Sequence, residues 1–139
     1  MKNFLNISDL SSQELRKIIE EAKIRKSKRK NFNKSAADLD QPFIGKSMIM
    51  IFEKPSTRTR ISFDIATKQL GGSSIILNPD VIHYGKGDES IQDTAKVLSE
   101  YADVIMMRTS LHKNLIEFAK YSKIPVINGL SEQSHPCQI

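Results

Sequence analysis

Two hydrophobic patterns take turns along the chain from residue 48 onward. Compact apolar runs cover 48–52, 74–77, 104–107 and 125–127, each short enough for a strand and nearly free of polar breaks. Between them, apolar residues return at helical spacing over 58–70, 90–101 and 111–121. Runs apolar on every residue suit strands covered on both faces, and regular strand–helix alternation predicts a parallel sheet with right-handed crossovers. The expected fold class is therefore α/β, a three-layer arrangement with helices on both faces of a parallel sheet. Ahead of it, Leu15, Ile18, Ile19 and Ala22 form one apolar stripe, with Ser11 and Glu14 at capping-box spacing. That predicts an amphipathic first helix.

The junction after the first apolar run carries the densest chemistry. Residues 52–63 read Phe-Glu-Lys-Pro-Ser-Thr-Arg-Thr-Arg-Ile-Ser-Phe. Pro55 stops the strand, Ile61, Ile65, Ala66 and Leu70 recur at helical spacing, and Gly71-Gly72 supplies a left-handed stop. Ser56 stands where a helix cap is needed. The unpaired N–H groups of a first helical turn, with the positive end of the helix dipole, favour a bound anion there. Arg58 adds a planar fork of donors that matches phosphate oxygens, whereas Arg60, two positions on, faces elsewhere. An ordinary Ser-capped helix with two solvated arginines would leave the same local pattern.

Two further segments favour the anion site. Arg108 follows the run 104–107, and His135-Pro136-Cys137-Gln138 follows the run 125–127 by a short loop. Ligands of open parallel sheets collect outside the carboxyl ends of the strands, so three separated segments deliver polar groups to one edge.

Composition narrows the picture further. A chain of 139 residues is ordinary for one α/β domain spanning 1–139. No apolar stretch approaches the roughly 20 residues of a membrane span, and the start Met1-Lys2-Asn3-Phe4 lacks a signal-peptide core. A cytoplasmic location with no membrane contact is expected. One cysteine, Cys137, excludes an internal disulfide framework and a cysteine-cluster metal site. The net charge of +5 comes largely from the stretch 23–34, with Lys23, Arg25, Lys26, Lys28, Arg29, Lys30 and Lys34. Such a run can bind nucleic acid, but it also suits the solvated C-terminal end of a helix passing into a polar linker. Phe32 is its one aromatic, too few for a single-strand stacking platform, so no nucleic-acid partner is expected.

Four motifs in register carry a family resemblance: Ser56-Thr57-Arg58-Thr59-Arg60, then Asp93-Thr94-Ala95-Lys96-Val97-Leu98, then Met107-Arg108-Thr109, then 125–130 (Pro-Val-Ile-Asn-Gly-Leu) with His135-Pro136-Cys137-Gln138. Their order and spacing resemble the carbamoyl-phosphate half of the carbamoyltransferase family. Lys54 before the proline and the Val-Ile-Asn-Gly-Leu stretch lean toward the ornithine branch rather than the aspartate branch. The resemblance covers nearly the whole chain and implies a Rossmann-like carbamoyl-phosphate-binding domain. A second domain, which holds the amino-acid substrate in the family, is not within these residues. It follows that L-ornithine would be bound elsewhere and that this chain alone would not complete the reaction.

By the same resemblance, Ser56, Thr57, Arg58, Thr59 and Arg108 bind phosphoryl oxygens. Thr59, Arg108 and His135 donate toward the carbonyl oxygen, Gln138 recognises the carbamoyl NH₂, and Pro136 and Cys137 belong to the same binding segment. Arg58, Thr59, Arg108, His135 and Gln138 are the expected catalytic set. In the family a loop matching residues 78–89 reaches into a neighbouring subunit of a homotrimer. His83, with Lys86 near it, takes that role here. No metal or cofactor is expected, since the chemistry asks only for stabilised negative charge.

Overall fold

The computed structural model describes residues 2–78 and 89–138. After a 3-10 turn at Ile7–Asp9, helix α1 runs Ser12–Lys28, followed by strand β1 (Ser47–Phe52), helix α2 (Thr57–Gln69), strand β2 (Ser73–Leu77), helix α3 (Ile91–Leu98), strand β3 (Val104–Arg108), helix α4 (His112–Tyr121) and strand β4 (Val126–Asn128). The four strands form one sheet in the order β2-β1-β3-β4, all parallel. Phe4 adds a parallel bridge to Ile127, so the N-terminal segment lies along the free side of β4.

The uninterrupted apolar strands do face two ways. Ile49, Ile51, Ile105, Met107 and Val126 pack with Ala95 of α3 and Leu115, Phe118 and Ala119 of α4. The alternate residues Met50, Phe52 and Met106 pack with Phe63 of α2. Helices on both faces follow directly from this two-residue alternation. Met50, Met106, Met107 and Phe118 are fully buried, and each such side chain stabilises the fold by about 1.5–3 kcal/mol.

Local signals place the helices as expected. Ser11 and Glu14 form the reciprocal cap of α1, with Ser11 N–H donating to Glu14 Oε2 at 2.8 Å and Glu14 N–H donating to Ser11 Oγ at 3.3 Å. Gly71 ends α2 with φ +89°, the left-handed stop that glycine accepts without strain. The segment 135–138 forms a turn, with Gln138 N–H donating to the His135 carbonyl at 3.1 Å.

The basic stretch departs from a purely solvated helix end. Arg25 donates to Asp38 at 2.7 Å and to Asp40 at 2.8 Å, while Arg29 pairs with Asp38 and donates to the Ala36 carbonyl at 2.7 Å. These ion pairs fold the linker back onto α1. Two of the guanidinium charges that the sequence presents as free are therefore neutralised within the domain. Among the described residues, no helix is long and apolar enough to cross a membrane.

Candidate functional site

The strand register brings the chemistry to one edge. Phe52 of β1 pairs with Arg108 of β3, and Met107 pairs with Asn128 of β4, so all three strands stop at the same level. The loops leaving them surround a cavity of about 620 Å³ lined by Pro55, Ser56, Thr57, Arg58, Thr59, Ser62, Phe63, Arg108, Leu130, His135, Cys137 and Gln138.

On one side the cavity is built on the start of α2. Ser56 has extended backbone angles and caps the helix by accepting from Thr59 N–H at 3.3 Å. Thr57 and Arg58 are exposed in the first turn, and Thr59 is buried. Arg108 reaches across from β3 and donates through Nη1 to Thr59 Oγ1 at 3.2 Å. Its backbone carbonyl accepts from Glu53 N–H at 2.9 Å, and Glu53 Oε2 in turn accepts from Ser110 N–H at 2.7 Å. The ends of β1 and β3 are thus tied together at the cavity floor.

Residues 129–138 form the other side. His135 is half-buried, and burial, followed by the Arg108 charge, holds its imidazole below the ordinary value of 6.5. A neutral ring at pH 7 follows, suited to hydrogen bonding in a fixed tautomer. Cys137 is exposed overall, yet its thiol donates to the Asn128 carbonyl at 3.5 Å, and partial burial pushes it up to about 11. A thiol so raised is a poor nucleophile. Leu130 holds φ 134°, an arrangement that costs a non-glycine residue on the order of 1–3 kcal/mol and persists only where its surroundings enforce it.

The lining suits a small anion. It carries two guanidinium groups and, among the described residues, no carboxylate. Arg108 Nε and His135 Nδ1 are buried without a hydrogen-bond partner. An unpaired buried donor costs about 1–3 kcal/mol, so a ligand that accepts from Arg108 relieves a standing penalty.

Of the expected residues, Ser56, Thr57, Arg58, Thr59, Arg108, His135, Cys137 and Gln138 meet at this cavity. Pro136 is fully buried and does not line it. Arg60 is exposed and also lies outside the lining. His83 and Lys86 fall outside the described residues. Sequence reasoning missed Ser62, Phe63 and Leu130, which line the cavity, and Asn128, which supports it from behind. The last had a legible signal: a lone polar residue closing the apolar run Val126-Ile127 just before a glycine.

Fold and cavity together define an α/β domain with a cationic cavity at the carboxyl edge of its parallel sheet. Residues 2–139 match the family model described as "Aspartate/ornithine carbamoyltransferase, carbamoyl-P binding domain". The chain is 48% identical over 139 residues to the ornithine carbamoyltransferase of Brucella ovis, covering all of this chain and 43% of that protein. It superposes on the ornithine carbamoyltransferase structure from Pyrococcus furiosus with a TM-score of 0.90 at 44% identity, over 99% of this chain and 42% of the other. A mutant N-acetyl-L-ornithine transcarbamylase solved with carbamyl phosphate and N-succinyl-L-norvaline gives a TM-score of 0.83 at 33% identity, over 99% of this chain and 45% of the other. The chain belongs to the aspartate/ornithine carbamoyltransferase family. It spans less than half the length of these relatives.

Proposed function

We propose that this chain is the carbamoyl-phosphate-binding half of an ornithine carbamoyltransferase, the enzyme that moves a carbamoyl group from carbamoyl phosphate to L-ornithine, giving L-citrulline and phosphate. The observation that carries this reading is the meeting of Ser56–Thr59, Arg108, His135 and Gln138 around one cavity that has, among the described residues, no carboxylate in its lining.

The chemistry asks for two stabilised negative regions. An amine nitrogen attacks the carbonyl carbon, an oxyanion develops on the carbonyl oxygen, and the bond from carbon to the phosphate oxygen breaks as the amine proton passes to the departing phosphate. The α2 N-terminus, Arg58 and Arg108 hold the phosphoryl group, which leaves as a dianion. Thr59, Arg108 and His135 donate toward the carbonyl oxygen, and Gln138 pairs with the carbamoyl NH₂, since its amide both donates and accepts. Removing one donor of this kind costs about 2.7–4 kcal/mol of transition-state stabilisation. In this reading the ornithine-binding groups lie outside these 139 residues. A cytoplasmic homotrimer, with the loop bearing His83 completing a neighbour's site, belongs to the same proposal.

Calorimetric titration of the 139-residue chain with carbamoyl phosphate tests it. Binding should be measurable in the unaltered protein and lost in Arg58→Ala and Arg108→Ala. Unchanged affinity in Arg58→Ala removes that residue from the site. Addition of L-ornithine as well should yield no citrulline above background, and robust turnover would refute the half-site reading.

A further inference from the structure

The two sides of the cavity rest largely on different contacts. The α2 side rests on the Ser56 cap and the Arg108–Thr59 bond. The 129–138 side rests instead on a buried polar cluster that does not line the cavity. At its centre Asn128 is fully buried. Its side-chain nitrogen lies 2.9 Å from the Leu5 carbonyl, 3.2 Å from both the Ser134 carbonyl and the Ser134 hydroxyl, and 3.4 Å from Ser131 Oγ. Its oxygen accepts from Leu130 N–H at 2.9 Å. Ser131 Oγ lies 2.7 Å from His112 Nδ1, and Ser134 Oγ donates to Asn6 Oδ1 at 2.7 Å.

These bonds clamp the loop at both ends. Leu130 is held at φ 134° between Asn128 Oδ1 and Thr109 N–H, which donates to the Leu130 carbonyl at 3.0 Å. Ser134, four residues further on, precedes His135 directly. We propose that Asn128, acting through Leu130, Ser131 and Ser134, is a positioning residue that sets where His135 and Gln138 stand against the anion-binding groups of α2 and Arg108. The assignment rests on reading the cavity as a carbamoyl-phosphate site. It goes beyond that reading by dividing the site: the phosphate-binding groups do not depend on Asn128, and the carbamoyl contacts made by His135 and Gln138 do. A buried polar network of this sort specifies one arrangement only while every member is satisfied.

The division gives a readout that general destabilisation would not produce. Asn128→Ala, Ser131→Ala and Ser134→Ala are titrated separately with carbamoyl phosphate and with inorganic phosphate, while the His135 ring is followed by NMR. Carbamoyl phosphate should bind about tenfold more weakly or worse, while phosphate affinity stays within about twofold. The His135 ring resonances should move in the same variants, and Ser134→Thr, which keeps the hydroxyl, should restore both signals. Equal loss of both ligands, or unchanged carbamoyl phosphate affinity with an unmoved His135 ring, overturns the proposal. Should Asn128→Ala fail to fold, the two serine variants decide. If the unaltered chain binds no carbamoyl phosphate, the functional reading fails by itself, and the positioning role is judged on the His135 ring alone.

Discussion

Arg108 Nη1, at the end of β3, donates to Thr59 Oγ1 in the first turn of α2 across 3.2 Å. The bond leaves the rest of the guanidinium fork, including the buried and unpartnered Nε, for a ligand. Lysine in its place keeps the charge but not the fork, so it cannot hold Thr59 and an anion in the same geometry. Arg108→Lys should weaken phosphate and carbamoyl phosphate binding by about 10–100-fold, the equivalent of one charge-assisted hydrogen bond of about 1.5–3 kcal/mol. Calorimetry on both ligands measures this directly.

His135 should make stability fall on mild acidification. The unfolded chain protonates this ring near 6.5, whereas burial and then Arg108 hold the folded value lower. Below 6.5 the unfolded state therefore binds more protons, and the stabilising contribution, complete above that pH, is lost as pH falls through the folded value. Between about pH 7 and about pH 5, the urea midpoint of the unaltered chain should drop further than that of His135→Asn. Parallel profiles would show that the ring does not resist protonation.

Cys137 should react slowly despite its exposed surface. Its thiol is pushed from 9.0 to about 11, and only the thiolate attacks. Alkylation by iodoacetamide near neutral pH should run about a hundredfold more slowly than for an unperturbed thiol, because two pH units separate the thiolate fractions. Mass spectrometry of quenched time points gives the rate.

Gly129 should not tolerate a side chain. A Cβ there would sit 2.3 Å from Met106 Sδ, and Met106 is fully buried between β1 and β4. Gly129→Ala should destabilise the domain by about 1–3 kcal/mol through overpacking. Urea denaturation with unchanged m-value is the check.

Asp38 should matter more than Asp40. Both accept from Arg25, but Asp38 is buried and also pairs with Arg29, whereas the Asp40 side chain is 59% exposed. Burial would raise the Asp38 carboxyl, yet its bonds to Arg29 and Arg25 outweigh that and hold it below 3.8. Its contribution is complete above 3.8 and is lost as pH falls through the lowered folded value. Asp38→Asn should lower the urea midpoint at neutral pH more than Asp40→Asn, and an equal or reversed effect would contradict this account.

Local physics makes much of the domain legible in the sequence. The strands at 48–52 and 104–107, the Ser11–Glu14 box, the Ser56 cap and the Gly71 stop each stand within a residue or two of where the sequence pattern places them, because period, capping and left-handed turns involve only near neighbours. The basic stretch was read less well. Arg25 and Arg29 look solvated because their aspartate partners lie nine to fifteen residues away, across a linker whose path the sequence pattern does not describe.

What the sequence determined by itself was the kind of groups available: a capped helix start with Arg58, an arginine after one strand, and a His-Pro-Cys-Gln turn after another. Only the tertiary structure decided which of them meet. Placing β3 between β1 and β4 lets Arg108 touch Thr59 across a separation of 49 residues, and it seats Asn128 behind the turn that carries His135. Strand order and register set those encounters. Both arise from packing two helical layers on one sheet, which no single stretch of residues encodes.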